Sequence, residues 1–191
     1  MDNKSALQGA AFGDACSADS NFNQAVLNSL RFGGQWEIVC IGPDGKEKWR
    51  DTIENLVVNT GLDEILEQFF NGSTYTASHF VLLTDGTPTV AAGDTMASHA
   101  GWTEPTLYSE ANRPAYNPAA ASGQSIDNSA SKASFSVNAS GTVGGCGLST
   151  NNTKGGTTGI LISAGAFTQG DKAVDDGDTI NVQITYNGSS S

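Results

Sequence analysis

Two hydrophobic periods recur along this chain, and one long stretch follows neither. The run Trp36-Glu37-Ile38-Val39-Cys40-Ile41 alternates and is rich in β-formers. Gly42-Pro43-Asp44-Gly45 follows as a turn signal, then KEKWRDTIENLVV, so this part of the chain predicts a β-hairpin. Trp36 and Trp49 are expected to meet across it, a contact worth about 0.2–1 kcal/mol beyond burial. Further strands are predicted over residues 79–84, 132–137, 157–163 and 179–186. In the last, Ile180, Val182, Ile184 and Tyr186 share one face and polar residues take the other, the pattern of a half-buried antiparallel strand. Glycine-rich stretches at 144–147, 155–156 and 175–178 read as the turns between strands.

The helical period occurs in one clear place. Leu62, Ile65, Leu66, Phe69 and Phe70 fall at i, i+3, i+4, i+7 and i+8, a single apolar stripe. Thr60 and Asp63 have capping-box spacing before it, and Asn71-Gly72 supplies a stop after it. This helix is expected to plug the core. Residues 1–30 are small and polar, with anchors at Phe12, Phe22, Val26, Leu27 and Leu30. The piece SADSNFNQAVLNSL predicts a short helix capped by Asp19 or Ser20. The rest reads as an extended arm that packs on its own domain or reaches a neighbouring subunit. Residues 117–131 read as a polar loop. The expected fold is mainly β: an antiparallel β-sandwich or jelly-roll-like domain over residues 31–191, with one packed α-helix and the N-terminal arm.

Residues 84–116 show no sustained period, yet they hold Trp102, Tyr108, Tyr116 and Arg113. A long aperiodic segment is usually functional or disordered, and disorder sheds aromatics. An ordered covering loop is therefore expected.

Composition narrows the function. The 191 residues include only 15% charged ones, and the deficit is filled by turn-forming and β-compatible small residues, among them 23 Gly. The net charge of −11 repels phosphate backbones and excludes nucleic acid as a direct partner. No apolar run reaches the roughly 18 residues that would cross a bilayer, so no membrane contact is expected. The start lacks a basic and apolar leader pattern, which points to synthesis in a cytoplasm. Cys16, Cys40 and Cys146 are widely spaced and odd in number, and read as reduced, partly buried thiols.

Patterns of chemistry are sparse. A Ser-His or Cys-His site would have to use His79 or His99, the two histidines, and no G-x-S-x-G elbow is present. Glu104 with Asp94 or Glu110 offers carboxylates for a glycosidase pair, against the reading that they bond to backbone N–H groups or Arg113. The turn Asp175-Asp176-Gly177-Asp178 invites calcium but lacks EF-hand spacing, and NNTKGGTTG lacks the phosphate-loop pattern. The expectation is no catalytic residue, no metal and no cofactor.

Taken together, Asp94, Thr95, Met96, His99, Gly101, Trp102 and Glu104, then Tyr108 and Arg113, resemble a group of small virion proteins of tailed phages and prophages. The resemblance extends to N-L-V-V-N-T-G-L (residues 55–62) and to A-F-T-x-G-D-K-x-V-x-x-G-D-T-I-N-V (residues 166–182), about half of the chain. It implies a β-rich, non-enzymatic virion component. The favoured form is a capsid decoration or cement protein on the capsid exterior, made in the bacterial cytoplasm. Its expected partners are the major capsid protein and further copies of itself, a trimer being one candidate state. The interface candidates are Phe12, Phe22, Trp102, Glu104, Tyr108, Arg113 and Tyr116, since Trp, Tyr and Arg are typical interface anchors. The competing possibility is that the loop covers its own core, with Glu104 pairing Arg113 to staple it. A tail or baseplate accessory and a carbohydrate-binding β-sandwich are the alternatives.

Overall fold

The predicted hairpin forms and starts the first of two sheets. The structure is a computed structural model that describes residues 30–71, 78–99 and 101–190; the N-terminal arm and its expected short helix lie outside them. Strands β1 (Leu30–Ile41) and β2 (Glu47–Glu54) pair antiparallel. Then come β3 (Leu56–Val57), helix α1 (Asn59–Leu66), a π-turn (Glu67–Asn71) and β4 (His79–Thr84). After the aperiodic segment follow β5 (Ala115–Tyr116), β6 (Ser125–Asp127), β7 (Ala133–Ser136) and β8 (Gly141–Val143). The last four are β9 (Gly145–Ser149), β10 (Leu161–Ala166), β11 (Lys172–Val174) and β12 (Thr179–Ser190).

One sheet runs β2-β1-β12-β6, with β7 also pairing β12; the other runs β3-β10-β9-β4-β5, and β8 with β11 forms a small ribbon. Trp36, Ile38, Ile180, Val182 and Ile184 from the first sheet pack against Val81, Leu83, Cys146 and Leu148 from the second. The mainly β, sandwich-like architecture expected from the alternating strands is therefore what forms, with Ile180, Val182 and Ile184 facing inward as their spacing requires.

Several local expectations are corrected. Trp36 and Trp49 do not meet: Trp36 lies opposite Ile53, and Trp49 lies opposite Cys40. The length of the turn and an irregularity between Cys40 and Ile41 set this register. Trp36 instead meets Tyr186 edge-on at 6.5 Å, and Trp49 packs against Phe167 at 5.7 Å. The glycine-rich run at 144–147 is no turn, because β9 is the fully buried central strand of its sheet. A Cβ at Gly145 would stand 2.4 Å from the Gly165 carbonyl oxygen, so here glycine serves close approach rather than reversal. The polar 117–131 stretch contains β6, and Asn128 at its end is fully buried. Its side-chain oxygen accepts from the Ile184 N–H at 2.7 Å and its amide donates to the Val182 carbonyl at 3.3 Å.

The helix forms where its period places it, but it does not plug the core. Gly61 is its sole buried residue, while Leu62, Leu66, Phe69 and Phe70 are 38%, 51%, 79% and 80% exposed. The capping box is not made either, since Val58 occupies the N-cap without a side-chain bond. The Thr60 hydroxyl donates instead to the Leu161 carbonyl at 2.9 Å, tying α1 to β10. That contact presses the backbone of Gly61 onto Ile162, where a Cβ would lie 2.1 Å from the carbonyl oxygen. The helix thus docks by its glycine and turns its apolar stripe outward.

Candidate functional site

The aperiodic segment wraps the second sheet from outside to inside. Along β4, Val81 and Leu83 face the space between the sheets, while Leu82 faces away. Leu82, Leu161 and Ala164 on this outer face are covered by Met96, Trp102 and the half-buried Val90. Further along, Tyr108 and Tyr116 enter the core between the sheets. The segment is a third layer over one half of the sandwich, so its aromatic content is accounted for by burial. Its base is closed by Asp85 and Thr103, each of whose backbone N–H groups reaches the other residue at 2.9 Å. Asp94 accepts from the Ala91 N–H at 2.9 Å and tightens the turn before Met96.

At the centre lies an ion pair removed from water. The Arg113 and Glu104 side chains are 1% and 5% exposed, with Nη2 to Oε2 at 2.7 Å and Nε to Oε1 at 3.1 Å. Arg113 also donates to the carbonyls of Asn151 at 2.9 Å and Gly156 at 2.7 Å. Glu104 also accepts the Tyr108 hydroxyl at 2.9 Å and the Gly155 N–H at 2.7 Å. The Lys154 ammonium stands 4.3 Å over the Tyr108 ring and donates to the Tyr108 carbonyl at 2.8 Å. Burial, with Glu104 alongside, pushes the Tyr108 phenol well above its ordinary range. These bonds brace the loop to the 151–156 turn.

Next to it, His99 stacks on Trp102 at 3.6 Å and 12°, beside a cleft of about 170 Å³ that reaches Gly155, Gly156 and Thr157. Trp102 is 5% exposed, and its indole N–H and the His99 Nδ1 are buried without hydrogen-bond partners among the described residues. One ring face is covered by His99, so Trp102 presents no open platform of the kind sugar stacking uses.

Of the interface candidates, Glu104, Tyr108 and Arg113 are brought together in the brace, Trp102 lies buried on the outer face of the second sheet and Tyr116 between the sheets, and Phe12 and Phe22 lie outside the described residues. The exposed positions that sequence reasoning missed are Leu62, Leu66, Phe69 and Phe70. Their spacing was legible, but a stripe does not announce which side is packed.

The acidic turn at 175–178 is likewise occupied from within. The Lys48 ammonium lies 2.6 Å from Asp178 Oδ2 and 2.9 Å from Asp175 Oδ2, where a cation would sit. Its two carboxylate partners, Asp178 first, hold its pKa above the ordinary lysine value. Among the described residues, no group of three or more His, Cys, Asp or Glu is placed to hold a metal ion. Cys40 and Cys146 are buried free thiols, and burial, reinforced by Asp178, pushes Cys40 up to about 12.

No protein family matches this chain, and no curated protein matches it.

Proposed function

We propose that this chain is a non-enzymatic structural protein of a tailed-phage particle, a decoration protein that binds the outer capsid surface and stabilises the shell. The observation that carries the reading is the fate of the residues resembling that class. Met96, Trp102, Glu104, Tyr108 and Arg113 converge on a lid and an internally bonded brace, a use of side chains that suits a scaffold. The net charge of −11 supports a solvent-facing position away from packaged DNA. The major capsid protein and further copies of this chain are the partners in this reading. With the loop aromatics turned inward, the reach toward a neighbour falls to the N-terminal arm, where Phe12 lies.

The test is recombinant protein mixed with undecorated capsids of its own phage. Stoichiometric binding and greater heat resistance of the shells are expected. Deleting residues 1–19 should weaken binding and leave the β domain folded. Failure to bind shells together with co-purification on tails would place the protein in a tail or baseplate instead.

A further inference from the structure

The apolar stripe of α1 borders an open apolar cleft of about 210 Å³. Ile65 forms one wall, with Phe32, Val57, Tyr116, Ile126 and Ile162 among the others. Outside the cleft the stripe continues through Leu62, Leu66 and Phe69, whose side chains meet water. Contiguous exposed apolar surface of this kind marks a place where something docks.

We propose that residues 20–29 of the same chain occupy this surface, seating Phe22, Val26 and Leu27 along α1 and over the cleft. Four observations converge on that occupant. The first is continuity: residues 20–29 lead directly into β1, which begins at Leu30, and Phe32, two residues later, is itself a cleft wall. The second is spacing: Phe22, Val26, Leu27 and Leu30 fall at i, i+4, i+5 and i+8, and Leu62, Leu66, Phe69 and Phe70 fall at i, i+4, i+7 and i+8. Both sets are apolar stripes of similar length, about 12 Å if helical.

The third observation is charge. The helix and π-turn carry Asp63, Glu64 and Glu67 and no basic residue, whereas residues 20–30 carry no charge at all. A second copy laying its own α1 here would set acid against acid, and an uncharged segment avoids that repulsion. The fourth is an orphaned group: Tyr116 is 9% exposed, lines the cleft, and its hydroxyl has no hydrogen-bond partner among the described residues. Burial raises its pKa to about 12, so it stays a phenol that can donate to a carbonyl or amide oxygen. Asn21, Asn23, Gln24 and Asn28 supply such oxygens, as does the backbone beside them. Tethering makes the docking intramolecular and favours the chain's own segment over one from a neighbour. Residues 1–19 remain the part that reaches a partner, so this proposal stands apart from the capsid reading.

A nitroxide on Leu66→Cys in a Cys16→Ser background tests it, since Cys40 and Cys146 are buried. In the full-length isotope-labelled chain, the amide signals of residues 22–27 should lose most of their intensity and regain it when the nitroxide is reduced. Val26→Asp should abolish that loss and raise binding of an apolar dye several-fold, with the melting of the β domain unchanged. Unaffected amides would overturn the proposal. So would broadening seen only when spin-labelled and isotope-labelled chains are mixed, which would make the occupant a second copy. Persistence of the effect in Val26→Asp would also overturn it.

Discussion

Glu104 and Arg113, nine residues apart in the chain, meet inside the domain through a 2.7 Å contact between Oε2 and Nη2. Neither charge is left with water as its partner, so each depends on the other and on the carbonyls, phenol and N–H group around them. Truncating one member strands the other in a low-dielectric site. Arg113→Met or Glu104→Leu should each cost about 3–5 kcal/mol. The double variant should cost less than the two single losses added together. Urea unfolding of the four proteins in the cycle measures both statements.

Trp102 makes a second separation between lid and interface. It covers Leu82, Leu161 and Ala164 within its own domain. Trp102→Ala should therefore lower the stability of the isolated chain by about 3–5 kcal/mol. An anchor used solely against a neighbour would leave unfolding of the isolated chain unchanged. Chemical denaturation followed by far-UV dichroism reads the difference.

Gly61 should respond against the usual helix rule. Replacing a mid-helix glycine by alanine ordinarily stabilises by about 0.5–1 kcal/mol. Here the new methyl would meet the Ile162 carbonyl oxygen at 2.1 Å. Gly61→Ala should instead destabilise by about 1–3 kcal/mol as α1 is levered off β10. A lower melting temperature is expected, and a rise would contradict the docking geometry.

Asp51 links stability to acid. It is 1% exposed on β2, and burial raises its pKa. Bonds from Thr168, Thr52, Lys172 and Gln169 outweigh that and hold the folded value below the ordinary carboxylate range. A depressed folded pKa gives stability that is fully present above the unfolded value, about 3.9, and is lost as pH falls through the folded one. Asp51→Asn should therefore flatten the decline of stability below about pH 4. Urea midpoints taken across that range would show it, and an unchanged acid slope would count against the role given to Asp51.

Much of this architecture can be read from alternation along the chain. The 36–54 hairpin, the strand at 79–84 and the inward face of Ile180, Val182 and Ile184 all follow from local pattern, because a strand's two faces are set by its own period. The strand expected at 157–163 starts only at Leu161, and 132–137 narrows to Ala133–Ser136. The central strand β9 escapes because Gly145, Cys146 and Gly147 have the composition of a turn, while their role depends on Gly165 and Leu82, which come from other strands.

The brace was half legible: Glu104 and Arg113 suggested themselves as partners, but Lys154, Asn151 and Gly156 lie some forty to fifty residues further on and share no local signal with them. Periodicity, charge balance and turn chemistry are properties of neighbouring residues, so the chain alone specifies where strands and helix lie and which residues share a face. Which face meets protein and which meets water depends on contacts between distant segments. For that reason packing alone placed Trp102 and Tyr108 inside the domain and turned Leu66, Phe69 and Phe70 outward.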